Sequence, residues 1–197
     1  MSEQWPETKK RTEEYLAVIV RGIQSVGVKN IGSYETLEFI QQFREGKSQR
    51  VFPASSMSDG TLRALGILMA LFQKGETGNS PISLAGIEEP ETGLHPAATG
   101  ALLDAIGEAS ESKQILITSH SAELLDNKNL TADMLIAVVT EEGITKLGSI
   151  DEASRSVMRD HLFTAGELLR GNQLAPEQNG IAYDKADKKP IREASAA

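Results

Sequence analysis

Cysteine is absent from this 197-residue sequence. No disulfide framework and no thiolate metal site can therefore form, which fits a reducing compartment. Basic residues do not dominate either: 20 Lys and Arg stand against 28 Asp and Glu, for a net charge of −8. The chain as a whole exerts no electrostatic pull on nucleic acid or anionic membrane. The short basic patches Lys9-Lys10-Arg11 and Lys188-Lys189 lie among acids and read as solvated faces. Aromatics are sparse, at 5% with a single tryptophan. The apolar fraction of 40% is nonetheless that of an ordinary globular domain. The first fifteen residues contain no apolar core of the signal-peptide type. The longest apolar stretch, residues 62–72, contains Arg63 and is too short to span a bilayer. A soluble, cytoplasmic protein with no membrane partner is expected.

What is present is an alternation of helical and strand-like segments. Residues 1–24 read as a charged helical lead-in. Residues 25–52 alternate like a β-hairpin or meander, with Gly32-Ser33 and Glu45-Gly46 as turns. An apolar helix follows from about 58 to 73, then a loop over 75–81. Residues 82–87 and 114–118 are nearly all apolar and predict strands buried on both faces. Between them, Pro96 opens a helix running to about 111. A short helix is expected over 121–126, two strands over 134–139 and 144–147 around a Glu-Glu-Gly turn, and helical structure again over 151–170. From Pro176 onward the composition is polar and charge-mixed, as in a disordered tail. Strands alternating with helices predict an α/β fold with a largely parallel sheet. The core spans 53–175, preceded by a helix and a β-hairpin.

Three places in this pattern carry chemistry. The first is Ser58-Asp59-Gly60-Thr61 at the start of the apolar helix. A helix N-terminus offers unpaired N–H groups and the positive end of the dipole, a natural setting for phosphate. Ser58 is a good N-cap, and Gly60 lets backbone come close to a ligand. The second is Glu88-Glu89, directly after an apolar strand. Ligands of open α/β sheets bind beyond the carboxyl ends of the strands. Adjacent carboxylates repel unless a cation such as Mg²⁺ relieves them. The third is His120, at the end of the second apolar strand and so at the same sheet edge. Each has a plainer reading when taken alone: a capped core helix, two solvated acids, and a strand-end histidine that caps the next helix.

Together and in this order, the three resemble the C-terminal half of an ABC-type ATPase of the RecF/SMC-like class, often grouped under the AAA label. Pro90-Glu91-Thr92-Gly93-Leu94-His95-Pro96 resembles the D-loop region of that class, and Thr164-Ala165-Gly166-Glu167-Leu168-Leu169 also fits it. The resemblance covers 53–170. It implies a partial P-loop NTPase sheet with flanking helices, with ATP and Mg²⁺ as cofactors. It further implies that Ser58, Asp59, Gly60 and Thr61 form the signature that closes on the γ-phosphate across a dimer. Glu88 would hold Mg²⁺ through water, Glu89 would polarise the attacking water, and His120 would contact the γ-phosphate. Gly93, Leu94 and His95 would form the D-loop between sites. The sequence departs from the usual pattern at Asp59, where transporters have glycine, and at Glu88, where most relatives have Asp. His95 stands where many have Asp, and a capping role is its plainer reading.

One expected element has no match. Gly46-Lys47-Ser48 looks like the end of a P-loop. That motif, however, needs glycine where Gln41 stands and a helix where Gln49-Arg50-Val51-Phe52-Pro53 follows. Two readings remain open. The chain is an ATPase half-domain, active with a P-loop-bearing chain or second subunit, or it is a pseudo-ATPase or truncated remnant acting as an interaction module. DNA as a partner, and a role in DNA repair, chromosome maintenance or phage defence, follow from the resemblance only.

Overall fold

The computed structural model describes residues 6–43, 48–74, 82–177, 180–184 and 189–191. The chain divides into two compact units, Met1–His120 and Ser121–Ala197. Gly46 and Lys47, the core of the P-loop look-alike, lie outside the described residues, as does the whole of the loop expected over 75–81.

The first unit begins with α1 (Pro6–Ile19). Proline suits a first helical turn because its missing N–H would be unpaired there anyway. Thr12, Leu16 and Ile19 are buried on one face of α1, at the spacing a helix needs to present a stripe. The lead-in is thus shorter than expected, because residues 20–22 form a turn that closes on Gly22 at φ +90°. Of the hairpin or meander expected over 25–52, the structure has the meander: three antiparallel strands, β1 (Ile23–Ile31), β2 (Tyr34–Phe43) and β3 (Ser48–Pro53). Its inward face delivers Val26 and its cross-strand partner Phe39 to the core.

Next come α2 (Asp59–Phe72), β4 (Leu84–Glu88), α3 (Pro96–Ser110) and β5 (Gln114–Thr118). Leu65, Leu68 and Leu71 of α2 meet Leu102, Ala105 and Ile106 of α3, with Leu16 and Phe39, in one core. Outside that core, Arg11 of α1 pairs with Glu108 of α3, and the Tyr15 hydroxyl donates to Glu108 at 2.8 Å. Tyr15 also stacks on Phe72 at 5.4 Å between ring centres. Lys113 is 7% exposed and donates to the Leu71 carbonyl at the end of α2, where the helix dipole favours a cation.

β4 and β5 pair in parallel, with Leu84 opposite Gln114 and Glu88 opposite Thr118. Their burial corrects the sequence-based expectation. Ile87, Ile115 and Ile117 face the core, but Leu84 and Leu116 are 56% and 54% exposed. The helices cover one face of this pair only, so an apolar run that reads as doubly buried is covered on one side. The sheet is also not largely parallel: among the described residues β4 and β5 form the parallel pair, and the other two sheets are antiparallel.

The second unit starts with α4 (Ala122–Leu125), followed by β6 (Ile136–Glu141) and β7 (Ile144–Ser149). Glu142 and Gly143 link the two strands at φ +50° and +85°, the left-handed pair that a tight hairpin requires. The residues expected to be helical over 151–170 form two helices, α5 (Glu152–Arg159) and α6 (Ala165–Arg170). His161 at φ +55° ends the first. Thr164 and Glu167 start the second with a reciprocal capping box, a local signal that outcompetes helical continuity. Gly166 of α6 packs against Ala122 and Asp126 so closely that a Cβ would overlap both. The segment expected to be a disordered tail contains β8 (Ile181–Asp184) and β9 (Lys189–Ile191). β8 pairs with β7, and β9 with β8; the unpaired edge of β7 offers hydrogen bonds that a polar segment can take.

Candidate functional site

The site is built where β4 and β5 end. Parallel pairing carries Glu88 level with Thr118. The ladder goes one step further, because the Glu89 N–H donates to the Thr118 carbonyl at 2.7 Å. The chain then turns sharply. Thr92 N–H donates to the Glu89 carbonyl at 3.0 Å, and Pro90 takes the turn position that its fixed φ suits. Glu89 itself adopts φ +42°, a conformation that costs a non-glycine residue on the order of 1–3 kcal/mol and collects at functional sites.

That turn aims the Glu89 carboxylate at His120. Oε1 lies 3.0 Å from His120 Nδ1, and Oε2 accepts from the Thr92 hydroxyl at 3.2 Å. His120 is 81% exposed, and so is open to a ligand arriving from solvent. A cavity of about 510 Å³ is lined by Arg63, Glu88, Glu89, Thr92 and Thr118. Arg63, from the solvent side of α2, donates to the carbonyls of Glu88 and Glu89. Behind the turn, Ser119 donates to Glu91 Oε1, while the buried Oε2 of Glu91 has no hydrogen-bond partner among the described residues.

The start of α2 is capped as its sequence predicts. Ser58 Oγ accepts from Thr61 N–H at 3.2 Å and lies 2.9 Å from the Thr61 hydroxyl. Asp59 is exposed in the first turn. Gly60 departs from expectation. It is buried, and the space left by its missing side chain is taken by the Gly93 backbone: a Cβ there would overlap the Gly93 carbonyl. Gly93 adopts φ +79°, which glycine tolerates without penalty. Leu94 packs against the core. His95 is the N-cap of α3, its Nδ1 accepting from Ala97 N–H at 3.2 Å.

Glu88, Glu89 and His120 are therefore brought together, and Gly60 is brought to Gly93. Sequence reasoning missed Arg63, Thr92 and Glu91. Arg63 left one signal: it is the charge that interrupts an otherwise apolar helix. Among the described residues no group of three His, Asp or Glu side chains could hold a metal ion by itself. No helix among them is long and apolar enough to cross a membrane.

A family model described as "AAA domain, putative AbiEii toxin, Type IV TA system" matches residues 6–126. This chain belongs to that AAA-domain family. The match takes in α1 through α4 and so contains Ser58, Glu88, Glu89, Gly93 and His120. Among curated proteins, the "ABC transporter A family member 5" of Arabidopsis thaliana is 34% identical over 89 residues, 45% of this chain and 8% of that protein. The chain spans less than a tenth of that relative's length. Among solved structures, an SMC ATPase reported for ATP-driven dimerisation and DNA-stimulated activation superposes with a TM-score of 0.56. It is 17% identical, over 82% of this chain and 94% of that one. The Smc head domain of Pyrococcus yayanosii gives a TM-score of 0.53 at 19% identity, over 80% of this chain and 29% of its own. These likenesses show the fold of an SMC-type ATPase head. The chain is thus an AAA domain of that family with the fold of an SMC-type ATPase head, an α/β arrangement of small sheets and flanking helices.

Proposed function

We propose that this chain supplies the acid, histidine and signature side of a composite ATP-hydrolysing site. The phosphate-cradling P-loop comes from polypeptide outside residues 1–197, in a partner chain or a second ATPase subunit. The observation that carries this reading is Glu89, held at φ +42° with its carboxylate 3.0 Å from His120. In that role Glu89 orients the attacking water and draws off its proton. His120 supports the carboxylate from Nδ1, and its exposed ring meets the γ-phosphate. Thr92 fixes the second carboxylate oxygen. Ser58, Asp59, Gly60 and Thr61 present the start of α2 to nucleotide held by the other subunit, with Gly93, Leu94 and His95 beside them as the D-loop.

The fit to Mg²⁺ rests on Glu88, an exposed carboxylate opening into the cavity shared with Glu89 and Thr118. An ion there would be held through water and completed by phosphate oxygens. When bound, Mg²⁺ neutralises charge on the phosphates. The half-covered β4–β5 pair supports the need for further polypeptide: parallel strands are normally covered on both faces, and here Leu84 and Leu116 are exposed. DNA as a stimulating ligand, with roles in DNA repair, chromosome maintenance or phage defence, extends the reading by analogy with SMC ATPases.

The alternative is a non-catalytic interaction module. It is favoured by Asp59, an acid in the turn that would meet a phosphate. Turnover separates the two readings. The protein is purified from its native host with whatever accompanies it, as wild type and as Glu89→Gln. Loss of Mg-ATP hydrolysis by about 10²–10⁴-fold with nucleotide binding retained is expected of a water-activating carboxylate. Undiminished turnover in Glu89→Gln refutes that role, and absence of turnover in the wild-type assembly favours the interaction module.

A further inference from the structure

We infer that Arg63 is a positioning residue that ties the signature helix to the Glu89 turn. This rests on the reading of Glu89 as the water-activating group. Arg63 lies one turn past Gly60 on the exposed side of α2, and its guanidinium donates to two consecutive carbonyls, those of Glu88 and Glu89. These carbonyls flank the one bond whose rotation gives Glu89 its left-handed φ. Both bonds leave one nitrogen, Nη2, whose two N–H groups are fixed in the guanidinium plane, a restraint that a freely rotating ammonium lacks.

Five residues on, the same segment is gripped a second time. Gly93 seats its carbonyl in the space left by the missing side chain of Gly60. The first two turns of α2 therefore hold the Glu88–Gly93 segment at both ends, by charge-assisted hydrogen bonds at one and by steric fit at the other. Between the grips the backbone has its own short bonds, from Thr92 N–H to Glu89 and from Leu94 N–H to Glu91, both at 3.0 Å. A shift of the start of α2, such as nucleotide contact there would cause, is then passed to Glu89 and changes how its carboxylate faces His120. Arg63 touches neither water nor phosphate in this account. Its effect runs through the backbone of Glu89.

Amide hydrogen exchange on residues 1–197 tests the link without any need for turnover. The informative amides are Glu89, Thr92 and Leu94, with Leu68 and Leu102 in the core of α2 and α3 as references. Arg63→Ala is expected to speed exchange at Glu89 and Thr92 by about tenfold or more and to leave the references unchanged. Arg63→Lys is expected to recover only part of the protection. Gly60→Ala perturbs the second grip, and its effect on the Glu89 amide should be non-additive with Arg63→Ala, as for groups that act through one element. Wild-type exchange at Glu89 and Thr92 in Arg63→Ala overturns the proposal, and so does strict additivity of the two changes. In the native assembly, Arg63→Ala should lower kcat by about 10–100-fold with KM for ATP little changed, the split expected when a group active only in the transition state is misplaced. If exchange responds but Glu89→Gln keeps full turnover, the mechanical link stands and the catalytic reading of Glu89 fails.

Discussion

Two glycines six residues apart on one helix should respond to the same substitution with opposite sign. A Cβ on Gly66, in the middle of α2, meets nothing within 4 Å. Gly66→Ala removes only the entropic handicap of glycine in a helix and should stabilise the first unit by about 0.5–1 kcal/mol. A Cβ on Gly60 would overlap the carbonyl oxygen and carbon of Gly93. Both partners are backbone, so neither can rotate away as a side chain would. Overpacking of this kind costs about 1–3 kcal/mol, which exceeds the propensity gain, and Gly60→Ala should destabilise by about 1–2 kcal/mol net. The separation between the variants is about 1.5–3 kcal/mol, roughly ten- to a hundredfold in the opening equilibrium. Exchange of the slow Leu68 and Leu102 amides reports that equilibrium for the first unit alone. Equal stabilisation by both substitutions would show that Gly93 is not seated against α2, and the two-point grip on the Glu88–Gly93 segment would fall with it.

Two pH effects follow from groups around the first core. The Arg11 guanidinium and, less strongly, the Tyr15 hydroxyl hold the Glu108 carboxyl below its ordinary value near 4.5. A depressed carboxyl contributes stability that is present above the unfolded value and is lost as pH falls through the folded one. Acid unfolding of Glu108→Gln followed by circular dichroism should therefore be flatter below pH 4.5 than that of wild type, and an unchanged acid limb would contradict the pairing. Burial lowers Lys113 from its ordinary value of 10.5. Between the folded value and 10.5 the unfolded chain binds more protons, so stability rises with pH there. Lys113→Met should abolish that rise in urea midpoints measured up to pH 10.5, and a slope that persists would refute it.

Much of the site was legible before any coordinates. Ser58 caps α2, His95 caps α3 with Pro96 behind it, and both apolar strands end where Glu88 and His120 stand. These are local signals, written in residues a few positions apart. What stayed hidden depends on distant partners. Gly60 read as a ligand-facing glycine because nothing local says that Gly93 fills its place. The left-handed φ of Glu89 is imposed by Thr118, Thr92 and Arg63, of which only Thr92 is near it in sequence. Leu84 and Leu116 belong to runs whose composition suits a doubly covered strand, but which faces are covered is set by α2 and α3 alone. In the second unit, the Thr164 and Glu167 capping box was readable and outweighed the helical pattern on either side. The strand pairing of β8 lay beyond local pattern, since it borrows the edge of β7.

The composite-site account is tested most directly by calorimetry of Mg-ATP with residues 1–197 alone, using Glu89→Gln to block turnover. If the phosphate cradle comes from other polypeptide, as the account proposes, this chain alone shows no saturable binding. Saturable, Mg²⁺-dependent binding by this chain alone would contradict it and would mean that the phosphate cradle lies within these 197 residues.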